Sequence, residues 1–447
     1  MEICNLGIIF RSLRALSLNY KFPKNMKDNI IAGLDIGSTA VRLVVGQRED
    51  MGQGEKLRII GATAVPAQGI NRGIITSIED ATSSISACLE KTERLVGVPI
   101  NRVWVSINDP HTKCELSRGV VAVGKSDGEI SEDDIERAIE AARALSVPPN
   151  YEILHVIPIK YKVDNQEDIK DPIGMSGIRL EVETLIVQGL SSQIKNLTKA
   201  IYRTGLDIED LVLSPLAAAE AVLNSKQKEL GVALINIGSS TTSLAVYEEG
   251  ELLHTAVLPI GSEHITSDVA IGLRCPLNLA ERIKLEYGSA KPNQFSKKDE
   301  VDIQELAQEE EVDDGTKNVS KKYIAEIIEA RVEEIFEKVD NEFKEIERSG
   351  MLPAGVFLTG GGSRLADITQ VAKDKLRLPA SLAASKNIDT IIDKVQTPEF
   401  LTGLGLVVWG SQLTAGQRKL FNIKWPGGDV VDKSVDKVKK WFSSLIP

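Results

Sequence analysis

Two stretches of the chain carry nearly the same pattern of apolar and small polar positions. Ile31-Ala-Gly-Leu-Asp-Ile-Gly-Ser-Thr-Ala-Val-Arg-Leu-Val-Val-Gly46 and Val232-Ala-Leu-Ile-Asn-Ile-Gly-Ser-Ser-Thr-Thr-Ser-Leu-Ala-Val-Tyr247 both read as strand, Gly/Ser/Thr turn, strand. After the first copy, Leu57 to Val65 is strand-like and the glycines of Gly69-Ile-Asn-Arg-Gly73 mark a turn. Ile78 to Val96 has helical spacing, with Ile78, Ile85, Leu89 and Leu95 near one face, and Val103, Val105 and Ile107 alternate again. Interleaved strands and helices predict an α/β chain.

From Asp109 to Gly177 the texture changes. Gly119-Val-Val-Ala-Val123 reads as a strand, Ser131 as the N-cap of a helix with an acidic first turn, and Ile153 to Ile159 as a further strand, together a small inserted β/α module. Leu180 to Gln188 resumes as strand, Ser192 to Thr204 as helix, and Leu211 to Leu223 as strand into helix through Ser214-Pro215. Residues 289–320 hold Glu309-Glu-Glu311 and Asp313-Asp-Gly315 with few large apolar residues, and are expected to form a mobile acidic loop. Lys321 to Glu347 reads as a long helix, with Ile324, Ile328, Val332, Ile335, Val339 and Phe343 at helical intervals; burial against a second sheet is expected, with a coiled coil as the alternative.

At 447 residues the chain exceeds one compact core, which predicts at least two domains. A net charge of −11 argues against broad nucleic-acid binding, since that requires a basic surface. Cys4, Cys88, Cys114 and Cys275 are scattered, so neither a disulfide framework nor a thiolate zinc site is expected, and a reducing cytosol fits. His111 and Cys114, three apart, are only a weak metal pair. Residues 1–27 carry Arg11, Arg14, Lys21 and Lys24 but no long apolar run, so they are expected to be a disordered extension or a misassigned start ahead of Met26.

No run reaches the roughly 18 apolar residues of a membrane span. Near the end, Val435, Val438, Trp441, Phe442 and Leu445 fall on one helical stripe, flanked by Lys437, Lys439 and Lys440. A helix of this kind suits the membrane interface, with lysines on anionic lipid. The competing expectation is a terminal helix docked on its own domain. Residues 411–433, with Trp425-Pro-Gly-Gly428, read as its linker.

The candidate chemistry is phosphate binding. In the two hairpins and in Val356-Phe-Leu-Thr-Gly-Gly-Gly-Ser-Arg-Leu365, an apolar strand ends at glycines and small hydroxyl residues. Such turns let backbone N–H groups approach an anion. Arg42, seven residues after Asp35, is placed to reach back toward phosphates. The copies differ at one telling position, where the first has Asp35 and the second Asn236.

A duplicated strand-turn-strand with a late Gly-Gly-Gly turn resembles the actin, sugar kinase and chaperone ATPase superfamily. Gly261-Ser-Glu-His-Ile-Thr-Ser-Asp-Val-Ala-Ile-Gly-Leu-Arg-Cys-Pro-Leu-Asn-Leu-Ala-Glu-Arg-Ile-Lys-Leu-Glu-Tyr-Gly288 narrows this to the FtsA family of actin homologues. Ile153-Leu-His-Val-Ile-Pro158, Asp171-Pro-Ile-Gly-Met-Ser-Gly-Ile-Arg-Leu180 and Ser214-Pro-Leu-Ala-Ala-Ala-Glu-Ala-Val-Leu223 are similar to it as well. The likeness spans about residues 28–410.

The resemblance implies an actin-like, ribonuclease H-like two-domain fold with duplicated βββαβα cores. It implies a first core at 28–108 and 178–225, the inserted subdomain at 109–177, a second core at 226–260 and 346–410, a smaller subdomain at 261–345, and a membrane-targeting amphipathic helix at 434–447. It implies ATP with Mg²⁺, held by Asp35, Gly37, Ser38, Thr39 and Arg42 on the first hairpin. Asn236, Gly238, Ser239, Ser240, Thr241 and Thr242 would serve on the second, Gly360, Gly361 and Gly362 on the third turn, and Glu281 and Lys284 at the adenosine; the plainer expectation for the last two is a solvated helix face. Partners implied are the division tubulin FtsZ, bound by the smaller subdomain, further copies of the chain in actin-like filaments, later division proteins, and anionic lipid on the cytoplasmic side of the membrane at the division site.

Hydrolysis in the superfamily uses an acidic residue on each hairpin. Asp35 serves that role, whereas Asn236 neither accepts a proton nor brings charge to a metal. Ser239 and Ser240 replace the glycines usual in the second turn, and would each cost about 1 kcal/mol if those positions require φ > 0. The expectation is a nucleotide-binding scaffold, with at most weak ATPase activity. The alternatives are a pilus-assembly actin-like protein and, from another class, a kinase of the superfamily.

Overall fold

The computed structural model describes residues 29–50, 55–144, 147–296, 298–310, 318–386, 388–390 and 392–414. The expected extension at 1–27 and the tail with Val435, Val438, Lys439, Lys440, Trp441, Phe442 and Leu445 lie outside the described residues.

The repeated hairpins nucleate two sheets of the same topology. In the first, β1 (Ile30–Ile36), β2 (Ala40–Asp50) and β3 (Glu55–Pro66) run antiparallel, and β4 (Arg102–Ile107) and β5 (Asp207–Leu213) join parallel on the other side of β1. The second repeats this order with β6 (Val232–Ile237), β7 (Thr242–Glu248), β8 (Glu251–Leu258), β9 (Val356–Thr359) and β10 (Ala380–Leu382). β1 and β6 lie mid-sheet with helices on their faces, which is why they read as nearly unbroken apolar runs. The mixed α/β sheet expected from the sequence is present twice.

Helix α1 (Ile78–Val96) packs against the first sheet. Ser77 caps its start by accepting from Asp80 N, and Gly97, left-handed at φ 72°, ends it.

The inserted subdomain is a separate antiparallel sheet, ordered Lys113–Ala122, Arg179–Leu190, Tyr151–Val163, Gln166–Ile169. Helix α2 (Glu132–Arg143) covers one face through Ile135, Ala138, Ile139 and Ala142. The sequence assigned 178–225 to the first core. Strand Arg179–Leu190 instead pairs with two strands of the insert along its length. Its alternation misled because both faces are buried: Leu180, Val182 and Ile186 face the insert's core, while Leu185 and Val187 join the first core's cluster.

The second correction is at the far end. Residues 346–410 were expected to complete the second core, yet after β10 the chain returns to the first. Asp389 and Thr390 pair with Arg58 and Ile59 of β3. There α3 (Ser214–Val222) lies against the apolar helix that closes the fold, Leu401–Thr414, whose Leu404, Leu406 and Val407 sit in the first core's cluster. A Cβ on Gly405 would stand 1.8 Å from Ala217 O, and one on Gly33 2.6 Å from Gly403 O, so this closing helix approaches both α3 and β1 backbone to backbone. Its last turn takes in residues 411–414 of the expected linker.

The smaller subdomain comprises α4 (Ser262–Leu273), α5 (Leu277–Tyr287) and α6 (Lys321–Glu345). The described parts of 289–320 are not a bare loop: Glu300–Asp302 pairs with Asn318–Ser320, helix Gln304–Glu309 follows the first of these strands, and Val301, Ile303, Leu306 and Val319 are buried, while residues 311–317, with Glu311 and Asp313-Asp-Gly315, lie outside the described residues.

Candidate functional site

The two hairpin turns have the same hydrogen-bond closure. Gly37 N donates to Ala40 O at 3.1 Å, and Gly238 N to Thr241 O at 2.8 Å. Asp35 stands opposite Arg42, and Asn236 opposite Ser243. Neither Ser239 nor Ser240 has positive φ, so the condition for strain at these positions is not met and serine fits the turn.

Asp35 Oδ1 accepts from Ser106 Oγ at 2.7 Å, and Arg42 Nη1 lies 4.0 Å from Oδ2. Burial raises the Asp35 carboxyl above its ordinary range, against the opposing pull of Arg42 and the Ser106 hydroxyl. Arg42 also sits 5.8 Å from the Phe400 ring centroid. On the other side, Asn236 Nδ2 donates to Thr402 Oγ1 at 3.2 Å, tying the second hairpin to the closing helix.

The third turn completes this wall. Gly360 has φ +83°, and a Cβ there would meet Asn236 Oδ1 at 2.3 Å. Gly362 is equally confined by Ile237, whereas Gly361 has nothing within 4 Å of an added Cβ. The N-terminus of α4 is occupied by protein: Ser262 N and Glu263 N donate to Gly238 O and Ser239 O. Its dipole therefore braces the second turn.

Lys284 is buried on α5, where its Nζ meets Glu281 Oε2 at 2.6 Å and Thr266 Oγ1 at 2.8 Å. The solvated-face expectation does not hold for it. Glu281 keeps 44% of its side chain exposed toward the same cavity.

These elements bound a cavity of about 1320 Å³ between the two cores. Its wall includes Asp35, Gly37, Ser38, Thr39, Arg42, Asn236, Gly238, Ser239, Ser240, Thr241, Glu281, Lys284 and Gly360 to Gly362. Thr242 is the exception: it is fully buried at the start of β7 and does not line the space. Sequence reasoning missed Arg72, Asn108, Ser214, His264, Arg364 and Thr402. Asn108 and Ser214 follow the last residues of β4 and β5, and the carboxyl ends of parallel strands are the usual site position in an α/β sheet.

The weak metal pair does not assemble. No cluster of three or more His, Cys, Asp or Glu fit for a metal occurs among the described residues. Cys114 Sγ donates to Thr255 O at 3.1 Å, and burial pushes its thiol up to about 12.

The sequence model described as "Cell division protein FtsA" matches residues 233–405, and that described as "SHS2 domain inserted in FTSA" matches 110–188. The cell division protein FtsA of Bacillus subtilis is 35% identical over 399 residues, covering 89% of this chain and 87% of the relative. The chain belongs to the FtsA family. The FtsA of Borreliella burgdorferi is 34% identical over 423 residues, covering 93% of this chain and 99% of its own length. The family is one of cell division proteins. The boundary of the inserted domain agrees with strand Arg179–Leu190 belonging to the insert.

Among solved structures, a PilM-PilN type IV pilus biogenesis complex superposes with TM-score 0.61 at 16% identity, over 85% of this chain and 98% of that one. MreB5 of Spiroplasma citri, bound to ADP, gives 0.50 at 13% identity, over 88% and 98%. At such identities the likeness is one of fold, and the fold is actin-like. No described helix is long and apolar enough to cross a membrane.

Proposed function

We propose that this FtsA-family chain is an ATP-binding, actin-like scaffold that tethers the FtsZ ring to the cytoplasmic face of the membrane and recruits later division proteins. The observation that carries the nucleotide part is the convergence of three Gly/Ser/Thr turns, one from each hairpin and Gly360–Gly362, on one cavity between the cores.

The residues present fit a nucleotide. Gly361 leaves room for close approach of an anion, backbone N–H groups and hydroxyls of Ser38 and Thr39 are at hand, and Arg42 supplies positive charge. Glu281, anchored by Lys284, offers a carboxylate oxygen to ribose hydroxyls. Asp35 is the carboxylate placed to hold a hydrated Mg²⁺, which when bound would neutralise phosphate charge. Asn236 adds no second carboxylate, so the site is suited to holding ATP more than to orienting and deprotonating water.

The inserted subdomain serves self-association into filaments and recruitment, the smaller subdomain takes FtsZ, and the stripe from Val435 to Leu445 lies on anionic lipid at the division site. Copelleting with FtsZ polymers tests the adaptor role: the full chain is expected in the pellet only when FtsZ is polymerised, and its absence there overturns the reading. Flotation on anionic liposomes of the full chain, but not of a chain ending at Gly428, tests the tether; equal flotation removes it. ATP at about a thousand times its Kd should stabilise the fold by about 4 kcal/mol.

A further inference from the structure

A chain of contacts along the cavity wall joins the two hairpin turns. Gly73 N donates to Ser38 Oγ of the first turn at 3.2 Å. Gly73, at φ +73°, lies so close to Asn108 that a Cβ on it would stand 2.0 Å from Asn108 O. Asn108 Nδ2 in turn donates to Thr241 Oγ1 of the second turn at 2.7 Å. Asn108 belongs to the first core and Thr241 to the second, so this hydrogen bond spans the cleft.

Asn108 is also the last residue before the insert. Asp109, 1% exposed, accepts from His111 N at 2.9 Å through Oδ1, and Thr112 N donates to Asp109 O at 3.0 Å. This tight turn feeds directly into strand Lys113–Ala122, where Cys114 Sγ donates to Thr255 O of β8. Little slack lies between the side chain that bridges the cleft and the first strand of the inserted subdomain. The bridge itself is incomplete: Asn108 Oδ1 and Asp109 Oδ2 are shielded from solvent with no partner among the described residues. Buried acceptors left unpaired are costly, and a rearrangement that supplies a donor is favoured.

We propose that Asn108 is a positioning residue of the nucleotide site. It fixes the spacing of the two phosphate turns and passes a change in that spacing to the inserted subdomain. The inference rests on the nucleotide reading given above. A phosphate chain gripped by both turns alters the distance between Ser38 and Thr241. Asn108 is hydrogen-bonded to Thr241 and packed against Gly73, which donates to Ser38, and Asp109 to His111 carry the displacement into the strand that follows. Coupling of this kind requires an element whose arrangement both sites bias, and the Asn108–Thr241 hydrogen bond is that element.

The test is hydrogen exchange of the full chain with and without Mg-ATP, read at residues 110–122, with binding of a fluorescent ATP analogue measured separately for each variant so that every comparison is made at saturation. In the wild type, ATP should change exchange at 110–122 by about fivefold, as gain or loss of one hydrogen bond allows. Asn108→Ala, and the near-isosteric Thr241→Val, should bind ATP more weakly and lose that response at saturation. Thr241→Ser, which keeps the hydroxyl, should restore it. Unchanged exchange in Lys321–Glu345 shows that the variants are folded; should Asn108→Ala fail this, the Thr241 pair carries the test. A full response in the folded variants overturns the proposal, as does a wild type that binds ATP without any response at 110–122. A wild type that binds no ATP overturns the nucleotide reading and this inference with it.

Discussion

Asp35 and Asn236 occupy the same step of two hairpins with the same register, Asp35 facing Arg42 and Asn236 facing Ser243. The hairpin is duplicated while its charge is not, and the first copy alone holds both a carboxylate and a guanidinium. Restoring a carboxylate with Asn236→Asp is expected to raise ATP turnover by about tenfold or more, since a positioned acid–base group contributes about 10²–10⁴. Phosphate release under single-turnover conditions reads this. An unchanged rate would place the limitation elsewhere in the site.

The raised carboxyl of Asp35 makes its charge a cost to the nucleotide-free fold. The folded chain holds this proton more tightly than the unfolded chain does. Stability therefore falls as pH rises through the ordinary carboxyl value of about 3.9 and on up to the higher folded value. Without nucleotide, Asp35→Asn should melt above the wild type near neutral pH, with the gap closing as the pH falls below the carboxyl range. With saturating Mg-ATP the order should reverse. Thermal melts across pH, with and without ligand, check both halves.

His155 gives a pH dependence of the opposite sign. Burial holds its imidazole down to about 4, its Nε2 accepts from Leu213 N at 3.1 Å, and the Trp409 ring lies 6.1 Å away. The unfolded chain takes up a proton near pH 6.5, so this contribution is fully present above that value. It is lost as pH falls toward 4, by roughly 3 kcal/mol in all. His155→Gln, which keeps an acceptor that does not titrate, should flatten the change in urea midpoint between neutral pH and about pH 5.

Gly405→Ala should destabilise the fold by about 1–3 kcal/mol, because the new methyl meets the Ala217 carbonyl and the helices must separate. Chemical denaturation measures the loss. Gly361→Ala, where an added Cβ meets nothing, is expected to leave stability within about 0.5 kcal/mol, since no buried contact changes.

The duplicated hairpins were legible because their turns advertise themselves: Gly37-Ser-Thr39 and Gly238-Ser-Ser-Thr241 each close a strand pair locally. Gly360 could be read as a glycine that matters, but not that Asn236 Oδ1 is what crowds it. Strand Arg179–Leu190 and helix Leu401–Thr414 were assigned to the wrong bodies. Apolar periodicity reports that Leu185 or Leu404 is buried, not which sheet buries it. Whether the second turn requires φ > 0 was open in the sequence, because φ is set by the closed turn and not by residue type alone; Ser239 and Ser240 do not adopt it. Asn108 carried no sequence signal, since one polar residue after a strand becomes a bridge only when the other core arrives.

The return of the closing helix also governs when the first core can be finished. Arg48 Nη2 donates to Gly410 O at 3.3 Å across 362 residues, and Leu404, Leu406 and Val407 cover a sheet whose β1 is made at the start of the described chain. At synthesis rates of about 5–20 residues per second, β1 waits roughly 20–70 s for its cover to emerge from the ribosome. During that interval the apolar face of the first sheet is open to solvent and to other nascent chains, so a ribosome that stalls short of Leu401 leaves a protein whose early half is built and unsealed.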